Sequence, residues 1–359
     1  MDEKVTIIAV GDPHFRIDNI PEVEEFMKNM KILCNEIKPD CIVILGDVLH
    51  THERLHTSAL NKAEEFIDDM RKIAFTIVLV GNHDMISNQE FLTTNHWMNS
   101  MKKWNNIQIV DKVFETEIKG RLFLFCPYVF PGRFEEALNT NKNWTKSVAI
   151  FAHQEFYGCK MGAIVSSVGD KWSSTSPSII SGHIHSNQTL NNVYYPGSSL
   201  QHAFGESDKN IIPVFTWKEN SKTYELKEVD LQLSRKKIIY RSISDIDKID
   251  IETLKKNNDK IKLSLNGNQE EFKAFKKTKK YKDMIKDGVK VVFKNKKKIF
   301  EEEEKKEDDN EPGKLEISEN DFSDILKKLV FSEKNKDLFE VYEYVVNDNV
   351  VNGTDILFL

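Results

Sequence analysis

The sequence predicts a mixed α/β (α+β) fold, a two-sheet β-sandwich core flanked by helices, followed by a small α/β cap and C-terminal helices. Three observations predict it. Short apolar runs alternate with helical patterns from Val5 onward; the strands crowd together after Asn105; and metal-capable side chains recur where apolar runs stop.

The first of these sets the opening half. VTIIAVG, CIVILG and TIVLVG are β-branched runs of strand length, separated by helical periodicity near Val23–Ile37 and Leu60–Ile73, which is the α/β rhythm. After Asn105 the runs IQIV, KVFETEI, RLFLFC, VAIFAH, SIISGH, NVYYPG and IIPVFTW follow with fewer helices between them. That half is therefore richer in hairpins, and a mixed core of two sheets accommodates both halves. We place this first domain at residues 1–217.

A second unit is expected at residues 218–300. TYELKEVDL and KKIIYRSI alternate apolar and polar residues as half-buried strands, and KIKLSLNG, QEEFKAFKKTKKYKDMI and VKVVF read as strand, helix, strand. Between Lys255 and Lys298 sixteen lysines face five acidic residues, an excess of eleven positive charges in a chain whose formal net charge is −6. A sum over the chain thus hides a segregated basic patch. Residues 301–313, EEEEKKEDDNEPG, are a charged low-complexity linker that cannot bury enough apolar surface to fold alone. Residues 314–359 carry apolar positions at helical spacing, with Asn320 as N-cap, and are too short for a core of their own.

Composition excludes several classes. No apolar run reaches the length of a bilayer span, and the acidic N-terminus enters a strand directly, so neither a membrane partner nor secretion is expected. Cys34, Cys41, Cys126 and Cys159 are widely spaced with no CxxC, which predicts buried, reduced thiols in an intracellular protein.

The chemistry sits at strand ends. Gly11-Asp12-Pro13-His14, Gly46-Asp47, Gly81-Asn82-His83-Asp84, His153 and Gly182-His183-Ile184-His185 each follow an apolar run. Glycine lets the chain turn sharply or approach a ligand closely, and Asp, Asn and His together offer oxygen and nitrogen donors without thiolate, which suits Mn, Fe or Zn. One such segment occurs often by chance, and a single strand-end histidine is usually an ordinary hydrogen-bonded residue. Five in one order are not ordinary.

This set resembles the calcineurin-like metallophosphoesterase superfamily, whose pattern is D-x-H, G-D, G-N-H-[D/E], H and G-H-x-H, over Val5 to about Glu206. The resemblance implies that Asp12, His14, Asp47 and His185 hold one divalent ion and that Asp47, Asn82, His153 and His183 hold a second, with manganese the first expectation. Two cations ~3.5–4 Å apart activate a bridging water and clamp the phosphate for in-line displacement. His83 would face the substrate and stabilise or protonate the leaving oxygen, with Asp84 orienting it by a hydrogen bond.

Within that superfamily, protein phosphatases usually carry G-D-x-V-D-R-G and G-N-H-E, whereas this chain has Gly46-Asp47-Val48-Leu49-His50 and Gly81-Asn82-His83-Asp84. His50, together with Tyr195-Pro196-Gly197-Ser198-Ser199 and Phe204-Gly205-Glu206, resembles the SbcD-type nucleases of double-strand-break repair and their phage counterparts. The resemblance implies that His50 sits near the metals and assists exonuclease action on DNA ends, that the cap positions DNA, and that the C-terminal helices grip a coiled-coil ABC-type ATPase. Such nucleases commonly pair through helices near the start of the domain, so a homodimer is expected. The chain departs from the pattern where Leu-Gly usually continues the first motif and Phe15-Arg16 stands here. Two other readings compete: a stand-alone phosphodiesterase or phosphatase on small phosphoesters, and a non-catalytic DNA-end scaffold, which a complete ligand set disfavours. His52-Glu53-Arg54-Leu55-His56 matches the zinc-peptidase H-E-x-x-H but has no third ligand at metalloprotease spacing. Trp97, Trp104, Trp144 and Trp172 are assigned to packing rather than to base stacking.

Overall fold

The computed structural model describes residues 4–52, 54–162, 164–206, 209–219, 221–250 and 259–295, and Val330. The acidic linker, the C-terminal helices with Asn320, and Glu53 of the peptidase-like motif lie outside the described residues.

Two six-stranded sheets face each other. The first has the order β14-β13-β1-β2-β3-β4, from β1 (Val5–Val10), β2 (Cys41–Ile44), β3 (Phe75–Leu79), β4 (Ile107–Val110), β13 (Ile212–Trp217) and β14 (Tyr224–Val229). Strands β1 to β4 run parallel, β13 is antiparallel to β1, and β14 is antiparallel to β13. The second has the order β11-β12-β10-β7-β6-β5, from β5 (Phe114–Ile118), β6 (Arg121–Cys126), β7 (Ala149–His153), β10 (Ser178–Gly182), β11 (Gln188–Leu190) and β12 (Val193–Tyr195). A short hairpin, β8 (Lys160–Met161) with β9 (Ile164–Val165), stands apart.

Alternation along the strands divides the apolar residues among three layers. Ile7 and Ala9 of β1, Val43 of β2, Phe125 of β6, Phe151 of β7 and Phe215 and Trp217 of β13 fill the space between the sheets. The alternate residues Ile8, Val10, Ile42 and Ile44 turn outward, where α1 (Ile20–Ile37) and α2 (Thr57–Ile73) cover them. Each helix brings an apolar stripe at 3.6-residue spacing: Val23, Phe26, Met27, Met30 and Leu33 from α1, and Ala59, Ala63, Phe66, Ile67 and Met70 from α2. Pro21 in the first turn suits the start of α1, and Lys38 in the left-handed region (φ 52°) ends it. On the opposite side, Phe134, Ala137 and Leu138 of α3 (Phe134–Leu138) close over Leu124, Ile150 and Ile179 of the second sheet.

The boundary expected after residue 217 is corrected. Tyr224–Val229 pairs with β13 from Ile212↔Val229 to Trp217↔Tyr224, so it is the edge strand of the first sheet, and the cap begins with β15 (Lys236–Ser242). A polar, alternating strand is what an exposed sheet edge also requires, so its pattern did not distinguish the two units. The cap is a parallel sheet of order β15-β16-β17, with β16 (Lys260–Gly267) and β17 (Lys290–Asn295), backed by α4 (Gln269–Phe275) and α5 (Lys279–Lys286). The single helix expected there is two, because the Thr278 side chain accepts from the Tyr281 amide and starts a new helix. Phe272, Phe275, Met284, Leu263 and Leu265 form the cap's own core.

All four cysteines are buried and unpaired. Trp104 packs on the first helical layer, Trp144 and Trp172 pack on each other at 5.7 Å, and no described helix is long and apolar enough to cross a membrane.

Candidate active site

Loops leaving the carboxyl ends of β1, β2, β3, β7 and β10 converge at one place, the usual position for a ligand in a parallel sheet. Asp12, His14, Asp47, Asn82 and His153 are all buried there, His83 and His183 are partly exposed, and His185 is exposed.

The backbone is bent to bring them together. Asp12 (φ 37°), His14 (φ 44°), Asp47 (φ 50°) and His183 (φ 79°) all occupy the left-handed region, which costs a non-glycine residue on the order of 1–3 kcal/mol and persists where the surroundings impose it. Backbone bonds hold the bends: the His14 amide donates to the Asp47 carbonyl (3.0 Å), the Ser199 amide to Gly11 (2.7 Å), and the Ser198 amide to His185 (3.1 Å). Gly81 matters for space rather than for turning, since a Cβ there would sit 2.3 Å from Asp47 Oδ1.

Two groups of donors meet at Asp47. His14 Nε2 lies 3.0 Å from His185 Nε2 and 3.5 Å from Asp47 Oδ2. Asn82 Oδ1 lies 3.0 Å from His153 Nε2 and 2.8 Å from His183 Nδ1, and His153 Nε2 lies 3.4 Å from Asp47 Oδ2. One carboxylate oxygen therefore stands between the two nests. Asp12 adds Oδ1, which accepts from the His183 amide (2.8 Å), while its Oδ2 is buried with no hydrogen-bond partner. A buried carboxylate oxygen left without a proton donor is costly, and a cation is the partner this one fits. The clusters Asp12/His14/Asp47 and Asp47/His153/His183 each have the spacing to hold a metal ion.

Charge follows from the same arrangement. Burial pushes the Asp12 carboxyl up to about 6, the nearby histidines opposing it. Burial also opposes charge on His153, but the Asp47 and Asp12 carboxylates outweigh it and carry that imidazole up to about 9. His14 and His183 are moved down, first by burial, His183 to about 3, which leaves both neutral and able to donate a lone pair to metal.

The remaining expected residues lie on the rim. His83 Nδ1 hydrogen-bonds the His50 carbonyl (2.6 Å), and His52 stacks on the His83 ring at 4.3 Å. His50 Nδ1 is 3.4 Å from His14 Nδ1. Asp84 does not bond His83, and that expectation is corrected: its carboxylate accepts from the Gly81 amide (3.1 Å), the Leu49 amide (3.4 Å) and Trp97 Nε1 (2.9 Å). It ties the loop of Asn82 to the loop of Asp47. His56 lies outside α2 and caps it through Ser58, so His52 and His56 do not present the helical face that a zinc peptidase needs.

One residue was missed by sequence. His202 packs edge-on against His14 (4.9 Å) and His185 (5.3 Å), and its Nε2 meets the Asp12 carbonyl at 2.9 Å. Arg16, which stands where the family pattern has glycine, donates to the His202 carbonyl (2.8 Å) and fixes this strap. The strap in turn is bonded to the cap, with the Lys236 amide donating to Gln201 Oε1 (2.7 Å).

A family model described as calcineurin-like phosphoesterase matches residues 5–187. A protein of Invertebrate iridescent virus 6 named only as a phosphoesterase is 49% identical over 279 residues, covering 76% of this chain and 98% of that protein. Another of that name from Invertebrate iridescent virus 3 is 42% identical, covering 82% of this chain and 86% of its own. Among solved structures, a dimetal phosphatase from Danio rerio is 10% identical with a TM-score of 0.39, covering 62% of this chain and 95% of that one. GAP50 of the Plasmodium inner membrane complex is 15% identical with a TM-score of 0.42, covering 64% and 85%.

Proposed function

Because the chain belongs to the calcineurin-like phosphoesterase family, we propose that it is a metal-dependent nuclease that hydrolyses phosphodiester bonds at DNA ends, as the nuclease subunit of a complex with a coiled-coil ABC-type ATPase. Phosphoester hydrolysis follows from the family and divalent-metal use from the donor set; DNA, the ATPase, a homodimer and manganese are our reading.

The observation that carries DNA is the cap. Lys273, Lys276 and Lys277 at α4 and Lys279, Lys282 and Lys286 on α5 are exposed, and none forms an ion pair among the described residues. Unpaired lysines on one small unit contact phosphates without reading sequence, and release counterions when they do so. A phosphatase of small esters has no use for such a surface.

Bound divalent ions would supply an activated water and charge neutralisation at phosphorus. The chain's own part is positional. Asp12, His14, Asp47, Asn82, His153, His183 and His185 would hold the ions. His83, fixed by the His50 carbonyl and stacked by His52, stands on the rim, where its protonated form can stabilise charge or donate a proton to the leaving oxygen.

The test is digestion of end-labelled duplex DNA by the full chain with Mn, Mg or EDTA, beside His83→Ala and bis-p-nitrophenyl phosphate. Shortening with Mn that disappears in EDTA and in the variant is expected. Hydrolysis of the small ester with intact DNA would replace the nuclease reading with a stand-alone phosphodiesterase.

A further inference from the structure

The hairpin β8–β9 is left out of both sheets, yet it forms one wall of a cavity of about 650 Å³ whose lining includes His183 and His185, with Lys160, Met161, Gln188 and Glu206. Its base is rigidly tied to the chain that follows those histidines. The Lys160 amide donates to Gln188 Oε1 (2.9 Å), Gln188 Nε2 donates back to the Lys160 carbonyl (2.8 Å), and Ser186 Oγ donates to the same carbonyl (3.2 Å). Register pairs Met161 with Ile164, so these two side chains share one face, and Met161 lines the cavity. Met161 is 38% exposed and Ile164 66%, although neither packs on any core. Lys160 forms no ion pair among the described residues.

We propose that this cavity is a nucleoside subsite: it receives the nucleoside esterified to the scissile phosphate, its base lying against the Met161–Ile164 face. This deepens the nuclease reading and rests on it for the choice of nucleic acid. His183 and His185 belong to the ligand set and also line this space, so a phosphorus held over Asp47 has the cavity within reach of one ester substituent. The cavity offers such a group the Met161 side chain, continued on the same hairpin face by Ile164 outside the lining, for a flat base, and the Lys160 ammonium, unpaired among the described residues, for the polyanion. A face of Met and Ile contacts any base by its π surface without hydrogen-bond selection. The subsite therefore favours an unstacked nucleotide over a particular sequence.

The test compares kcat/KM of the full chain, with Mn, on thymidine 3′- and 5′-p-nitrophenyl phosphodiesters and on methyl p-nitrophenyl phosphate, all of which release the same phenolate. One thymidine ester is expected to exceed the methyl ester by at least about tenfold, the effect of burying a base-sized apolar face. In Met161→Asp, and independently in Ile164→Asp, that ratio falls toward one. No thymidine preference in the unaltered chain, or a preference that survives both variants, overturns the subsite. DNA digestion separates the two claims. Intact DNA with a thymidine preference abolished by the variants keeps the subsite and removes the nuclease, whereas DNA shortened without any preference keeps the nuclease and removes the subsite.

Discussion

Replacing Asp84 with alanine tests whether this carboxylate acts on the loops or on His83. Its side chain is 3% exposed and accepts from the Gly81 amide, the Leu49 amide and the Trp97 indole at 3.1, 3.4 and 2.9 Å. Alanine leaves two buried amides and the half-buried Trp97 indole without an acceptor, each costing ~1–3 kcal/mol, so a loss of at least about 2 kcal/mol is expected even where water replaces one contact. Trp97→Phe removes one donor only and should cost about 1 kcal/mol. Asp84→Asn, which keeps one oxygen, falls between them. Thermal scans should register a loss of that size as roughly 4–8 °C. Metal titration calorimetry should show weakened affinity in the same order, since Gly81 and Leu49 adjoin Asn82 and Asp47. If Asp84 instead acted through His83, Asp84→Asn would lower kcat while leaving melting temperature and metal affinity at their unaltered values, and that pattern would refute the loop role.

Three further outcomes are expected. His83→Ala should lower kcat by about 10²–10⁴-fold while metal stoichiometry, read by atomic absorption on the dialysed protein, is retained; lost metal would make His83 a ligand. Chelation should lower the melting temperature, and restoring Mn at a hundred times its Kd should return about 2.7 kcal/mol; in Asp12→Ala, which removes the orphaned Oδ2, the Mn-dependent shift should disappear. Burial raises the thiols of Cys34, to about 12, and of Cys41 and Cys126 above their ordinary 9.0, so above pH 9 the unfolded chain releases protons that the native state keeps. Stability is thus fully present below the unfolded value and falls as pH rises, by up to about 1.4 kcal/mol per pH unit for each thiol. Denaturant curves between about pH 8 and 11 check the slope, which Cys34→Ala should reduce; a flat profile refutes it.

The sequence made some of this legible and hid the rest for definite reasons. Strands β1, β2 and β3 and helices α1 and α2 carry their periodicity within one element, and the ligand loops repeat one local device, so both could be read from neighbouring residues. What could not be read depends on partners distant in the chain. Asp84 sits beside His83, which suggested a bond between them, but the strand-end bend turns its carboxylate to Gly81, to Leu49 and to Trp97, thirteen residues on. His202 follows no apolar run and belongs to no motif segment; it enters the site only because Ser198 and Ser199 staple their strap to His185 and Gly11. Tyr224–Val229 has the alternation of any half-buried strand, and only its register with β13 assigns it to the first sheet.

The distribution of exposure bears on the kind of ester. Asp12, His14, Asp47 and His153 form a closed floor, each no more than 2% exposed, while His50, His52, His83, His183 and His185 line an open rim. The His14 ring is 4.9 Å from both His83 and His185, so it lies between the two arms of that rim. Beyond His185 is the 650 Å³ cavity, and beside His52 and Asp84 is another of about 450 Å³. A phosphate monoester has one substituent and would leave one of these spaces to water. A phosphodiester has two, and can place one in each while its phosphorus rests over the floor. Both spaces are of ordinary ligand-pocket size, so each can hold a group as large as a nucleoside. The same geometry predicts that a monoester such as p-nitrophenyl phosphate is turned over with lower kcat/KM than a diester of the same phenol, because it forgoes the binding energy of the second substituent. Equal or faster turnover of the monoester would remove this argument for a diester substrate and, with it, much of the support for a nucleic acid.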